Sequence, residues 1–317
     1  MKSSRTITLT AGVLLVVCML GSVLFLQRLD RIRTGATLDE VLYITSPKAL
    51  KRLSLGYEGL LADVYWTRAV QYFGRNHLLQ RGRYELLAPL LEITTTLDPH
   101  LIVAYDFGAN FVAPAAPNGA GMPERAIRLM EFGIQNNPKE PKLYYALGFI
   151  YYMDLKDYPK AAQTFQEGSV LPGAHQVLKI LAAQSAQHAG ESQTARMLWI
   201  MNYKTIPEKD VRANALAHLQ ALQVDDEVTR IEDAVTLYGR KTGSLPPSLA
   251  ALVASGYLPG IPLDPDGRPF KLTSEGRVEV QNPDSFPFLQ KGLPPDYVAK
   301  PSKLEKFYTM ELQANPR

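Results

Sequence analysis

Apolar positions along most of this chain recur at helical spacing. Residues 60–73 (LLADVYWTRAVQYF) place Leu61, Tyr65, Ala69 and Phe73 at i, i+4, i+8 and i+12, which predicts a helix with one apolar face. Residues 84–95 predict its antiparallel partner, and Asp98-Pro99 ends it, because proline disfavours helical geometry in the residue before it. Residues 225–238 give a third clear pattern, with Val228, Ile231, Val235 and Tyr238 on one face and Asp225 expected to cap the first turn. Ser248 is expected to cap a short helix that runs through Ser255 and stops at Gly256. The helical pattern then gives way. Phe270-Lys271-Leu272 and Val278-Glu279-Val280, separated by Ser274-Glu275-Gly276-Arg277, predict a β-hairpin.

One stretch has no polar face. Residues 7–26 (ITLTAGVLLVVCMLGSVLFL) carry no charge. At about 1.5 Å per residue they match the roughly 30 Å hydrocarbon core of a bilayer, so a transmembrane helix is expected. A cleaved signal peptide is the rival. It is disfavoured because no small-x-small site closes the run before Gln27-Arg28. A lipoprotein signal through Cys18 is weaker, since Val17 stands where a small residue is wanted. Lys2 and Arg5 precede the run and Arg28, Arg31 and Arg33 follow it, so flanking charge does not set the orientation. The short stretch before it is similar to that of bacterial export anchors, which implies a body outside the cytoplasm.

Pro99, Pro138, Pro172 and Pro207 recur at gaps of 39, 34 and 35 residues. Twelve and eight residues before three of them stand Leu87 and Leu91, Ala126 and Met130, and Ala195 and Trp199. The unit ending at Pro172 is shifted by one and has Ala161 and Phe165. Apart from Leu87, each pair is a small side chain followed by a bulky one, which suits close helix approach beside a filled hole. Upstream, Tyr144, Leu147, Gly148 and Tyr151 follow the W-x2-L-G-x2-Y pattern with Tyr first. Ala104, Phe107, Gly108 and Phe111 repeat its offsets, and Lys179, Ala182, Ala183 and Ala186 are a degenerate copy. Over residues 60–222 the chain resembles the tetratricopeptide repeat family, best in residues 142–172. The fold class expected is mainly α: a solenoid of about four helix pairs with an N-terminal transmembrane helix and a small α+β C-terminal module.

The resemblance implies that first helices line a concave face through their second, fifth, ninth and twelfth positions. These are Lys142, Tyr145, Phe149 and Tyr152 in one unit and Ile102, Tyr105, Ala109 and Val112 in the unit before. Tyr105, Tyr145, Phe149 and Tyr152 would form an aromatic wall flanked by Lys142, suited to an extended peptide or a helix. The Lys and Asn set with which a chaperone-binding branch clamps a terminal carboxylate is lacking. The alternative is a wall covered by the chain's own C-terminal region. The insert VAPAAPNGAGM between Phe111 and Pro123 is expected to be a surface loop, either a partner contact or a neutral insertion.

Beyond Val224 a second likeness enters. Tyr238, the segment Gly243-Ser244-Leu245-Pro246, Leu249 and Leu252, Tyr257-Leu258, and Asp264-Pro265-Asp266-Gly267-Arg268-Pro269 before the hairpin follow in order. This stretch resembles the globular end of type II secretion major pseudopilins. The family's N-terminal processing site is missing before the apolar run, and no acidic cluster matches its calcium loop.

Composition adds limits. An apolar fraction of 46% is ordinary for a globular chain, and a net charge of +3 makes no electrostatic case for nucleic acid. A single cysteine excludes an internal disulfide or a cysteine zinc site. The five histidines (His77, His100, His175, His188 and His218) are scattered, and neither a phosphate loop nor a GxSxG elbow occurs. Asp264 and Asp266 suit a proline–glycine turn better than a calcium ion. The expectation is therefore no catalytic residue, no metal and no cofactor. The domains expected are an anchor over 1–27, a linker over 28–58, the solenoid over 59–222, and the pseudopilin-like module with its tail over 223–317. The function expected is a protein-binding scaffold of the bacterial inner membrane facing the periplasm, with a secretion or pilus-type assembly as client. The alternatives are an envelope enzyme with its site between solenoid and module, and the same scaffold facing the cytosol.

Overall fold

The structure, a computed structural model, describes residues 47–298 except 81 and 83, together with residues 15, 19, 21, 22 and 28. Among the described residues no helix is long and apolar enough to cross a membrane. The apolar run 7–26, apart from four positions, and the tail beyond residue 298 lie outside the described residues. What is described is mainly helical with one small sheet. The chain divides into two compact units, Met1–Leu129 and Met130–Arg317.

In the first unit, α1 (Pro47–Leu53), α2 (Glu58–Leu78), α3 (Leu87–Leu97) and α4 (Ile102–Val112) pack with α3 between its neighbours. Tyr65, Ala69 and Phe73 of α2 are buried at the predicted spacing. Phe73 stacks on Tyr84 at 5.1 Å and meets Phe111 at 4.2 Å. A Cβ on Gly108 of α4 would collide with the Leu129 side chain, so a bare backbone is what lets these helices approach. The insert after α4 is pinned rather than loose. Ala120 and Met122 donate their N–H groups to the Phe111 and Val112 carbonyls, and the Tyr84 hydroxyl donates to the Pro117 carbonyl. Leu55, in the turn between α1 and α2, has φ of 51°. This left-handed conformation costs a residue with a Cβ roughly 1–2 kcal/mol.

Helix α5 (Pro123–Asn136) opens on proline, whose missing N–H is harmless at a helix start. The second unit continues with α6 (Pro141–Phe149), a wider π turn (Ile150–Leu155), α7 (Tyr158–Ser169), α8 (Val177–His188), α9 (Ser192–Thr205) and α10 (Lys209–Thr242). From α6 onward each helix packs on the next. The small and bulky side chains set upstream of each proline (Leu87 and Leu91, Ala126 and Met130, Ala161 and Phe165, Ala195 and Trp199) are all fully buried. A Cβ on Gly148 would collide with the Phe165 ring.

Helix α10 corrects one expectation. Asp225 does not cap a helix start, because a single helix of 34 residues runs from Lys209 through it to Gly243, whose φ is 76°. No glycine or proline interrupts residues 209–238. The core changes along this unbroken rod. Ala215 and Leu222 belong to the cluster of Phe165, Leu178 and Trp199, whereas Val224, Val228, Ile231 and Val235 join Leu249, Leu252, Phe270, Val278, Val280 and Phe286. Ser248 caps α11 (Leu249–Ala254) by accepting from the Ala251 N–H. Strands β1 (Lys271–Leu272) and β2 (Val278–Glu279) pair antiparallel, Lys271 opposite Glu279, around a turn with Gly276 at φ of 80°. In the loop before them Asp264 accepts from the Asp266 and Arg268 N–H groups, which makes it a turn former.

Candidate functional site

Two ring clusters stand out in the second unit. The first begins on α6. The Tyr145 and Phe149 rings lie 4.7 Å apart, and Phe149 and Tyr152 lie 6.4 Å apart. Tyr152 meets Tyr158 at 5.3 Å and His188 at 5.8 Å, and His188 meets Tyr158 at 5.3 Å. Phe149 rests edge-on against the buried Phe165 at 5.4 Å, which ties this row to the core. Tyr145 is 41% exposed, Phe149 and Tyr152 are half-buried, and Lys142 is exposed one turn before Tyr145. The π turn carries Tyr152 and ends at Lys156 in the left-handed region with φ of 56°. Such turns widen the helix by one residue and re-aim its side chains. Asp157 then caps α7 by accepting from the Lys160 N–H. Partial burial pushes the Tyr152 phenol up and the His188 imidazole down from their ordinary values, so both face this row uncharged near neutral pH.

Tyr105, expected on the same kind of face, is fully buried, and its hydroxyl donates to the Pro99 carbonyl at 3.1 Å. Burial pushes its phenol well up. Tyr144 makes the corresponding bond to the Pro138 carbonyl at 3.2 Å. Each tyrosine stands six residues after its proline, and α4 and α6 each start three residues after theirs. Counted from the proline, Tyr105 therefore occupies the place of Tyr144, not that of Tyr145. The Gly108 and Gly148 match that aligned it with Tyr145 is offset from the proline register by one residue. Tyr105 is a core residue of its unit and offers no ring to a partner. Ala109 and Val112 are buried as well.

The second cluster was not legible in the sequence. His218 of α10 lies flat between the Trp199 ring at 4.0 Å and the Phe288 ring at 3.6 Å. Its Nδ1 is 2.7 Å from Gln187 Oε1, which also accepts from Trp199 Nε1 at 3.2 Å. An amide oxygen only accepts, so His218 carries its proton on Nδ1. Gln187 Nε2 donates to the Phe288 carbonyl, and Gln290 Nε2 donates to the Gln187 carbonyl. Asp225 Oδ1 accepts from the Gln290 and Lys291 N–H groups at 3.0 and 2.8 Å. Residues 286–292 thus form a strap over α8 and α10, and the Val280 N–H, donating to the Gly292 carbonyl, joins it to the hairpin. Burial lowers the His218 pKa to about 3, with the nearby His188 adding to the effect. Burial of the Asp225 carboxyl raises its pKa against the pull of the two N–H donors.

Chemically the two clusters differ. Among the described residues, neither His188 nor His218 is hydrogen-bonded to a carboxylate, and no group of three or more His, Cys, Asp or Glu is placed to hold a metal ion. His218 is clamped by an amide and two rings, which suits a structural joint. The Tyr145 row has one side in the core and one side toward solvent, which suits contact with another chain. Comparison with protein-family models, curated proteins and solved structures finds no match to this chain.

Proposed function

We propose that this chain is a membrane-tethered scaffold of the tetratricopeptide type, held by residues 7–26 in a bacterial inner membrane with its body in the periplasm. Its partner is a peptide or helix that lies along Tyr145, Phe149 and Tyr152 with Lys142 at one end. The observation that carries this reading is the half-open ring row itself: Tyr145 is 41% exposed while the chain's own strap docks on Gln187, His218 and Asp225. An aromatic row at a helix surface offers large contact area at small entropic cost. The module built on the second half of α10, with its short helix, Asp264 turn and hairpin, is read as pseudopilin-like and points to a secretion or pilus-type assembly as client.

A photo-crosslinking amino acid at Tyr145, in living cells, tests this. An adduct with one envelope protein, lost when Phe149→Ala is added, is the expected result. Adducts confined to cytosolic proteins would overturn the envelope scaffold. A reporter fused after Arg317, active only when exported, reads the orientation separately.

A further inference from the structure

The turn between α1 and α2 is unusual for a protein surface. Leu53, Leu55, Tyr57 and Leu60 are all exposed, Leu55 at 86%, and Val64 continues the row one turn further along α2. Tyr57, Leu60 and Val64 sit at i, i+3 and i+7, so they share one face of the helix. Leu55 also holds a left-handed backbone, φ of 51°, followed by Gly56 at 91°. A leucine in that conformation gains nothing by facing water, where asparagine or glycine would sit without strain. Lys51 and Arg52, both exposed, close α1 just before the apolar residues. Apolar tips beside two cations and a tyrosine form the side-chain set that settles at the headgroup–acyl boundary of a phospholipid bilayer.

Chain length makes a bilayer the fitting occupant. Only the twenty residues 27–46 separate the apolar run from α1, so even fully extended they reach about 70 Å. A surface tethered this closely to a membrane meets it at an effective concentration at which a weak contact suffices.

We infer that the α1–α2 turn, through Leu53, Leu55, Tyr57 and Leu60 with Lys51 and Arg52 beside them, rests in the interfacial layer of the membrane that residues 7–26 cross. The inference builds on the tether proposed above and goes beyond it, because it gives the first folded unit a second point of attachment.

Two labelled forms of the full chain in phosphatidylglycerol-containing vesicles test both readings. A polarity-sensitive fluorophore on Cys18, the only cysteine, reads the tether. The same fluorophore on Leu55→Cys in a Cys18→Ser background reads the turn. The expected result at position 55 is blue-shifted emission, quenched about twofold or more by lipids carrying a shallow spin label and little by aqueous iodide. Water-like emission at 55 with a lipid-buried Cys18 overturns the interfacial contact and leaves the tether standing. Water-like emission at Cys18 overturns the tether. A blue shift at 55 without lipid quenching means that protein and not lipid covers the turn, and that also overturns the inference.

Discussion

The two ring clusters of the second unit are built from the same kinds of side chain and differ in what closes them. Around His218 the outer face is sealed by Phe288, delivered by the strap, and every polar atom of Gln187 is used. Along Tyr145, Phe149 and Tyr152 no such closure is in place among the described residues, and the row ends at a tyrosine that is 41% exposed. A closed aromatic stack contributes to stability. A half-open one leaves ring area uncovered, and that area is what the proposed partner would cover. Aromatic content alone does not separate the two, and a roof supplied from distant sequence does.

The sharpest way to break this comparison is Trp199→Ala. Removing a fully buried indole that also stacks on His218 is expected to cost about 3–5 kcal/mol, read by guanidinium unfolding of the detergent-solubilised chain. A loss below about 1 kcal/mol would mean that the closed cluster is not a stabilising joint.

The pH dependence comes next in size. The folded His218 has a pKa of about 3, below the ordinary imidazole value of 6.5, so the unfolded chain binds a proton that the folded chain refuses. The stability of this site is complete only well above pH 6.5 and falls as pH drops, by about 2 kcal/mol in all at pH 5. In His218→Phe, which keeps a ring in the stack, this part of the slope should vanish. An unchanged slope would place the titrating group elsewhere.

Asp225→Ala removes the acceptor of two strap N–H groups and should cost about 1–1.5 kcal/mol. Amide exchange at Gln290 and Lys291 should quicken about tenfold, while exchange in α6 stays unchanged. Equal quickening in both places would show that the strap is not a local closure.

Tyr145→Ala has the smallest expected effect on folding, within about 0.5 kcal/mol, since the side chain is partly in solvent. It should nonetheless abolish the adduct captured from neighbouring positions of the same face. A cost of several kcal/mol would place Tyr145 with the closed cluster instead.

Much of the helical architecture was readable residue by residue. The pairs Ala161 and Phe165, and Ala195 and Trp199, were assigned to helix contacts from spacing alone, and all four are fully buried. The hairpin around Gly276 and the Ser248 cap followed from local turn chemistry. Local rules failed where a one-residue choice of register mattered. Tyr105 takes the position its proline dictates and donates to the Pro99 carbonyl, whereas the glycine alignment put it on the open face. They failed again at Asp225, whose acidic run suits a helix start and whose carboxylate instead serves amides 65 and 66 residues away.

Periodicity, prolines and small residues determined by themselves most of the helical segments and the buried small and bulky pairs before each proline. These depend on backbone sterics and on apolar spacing within one or two turns, and such interactions are complete inside a short stretch of chain. Only the tertiary structure decided which ring cluster is closed. Phe288 and Gln187 are 101 residues apart, and no local preference encodes that a hydrogen bond and a stacked ring will meet there. It likewise decided that Leu55 faces outward on a strained backbone while Tyr105 is buried. That distinction depends on what neighbouring helices leave uncovered, which is set by packing and not by the identity of the residue.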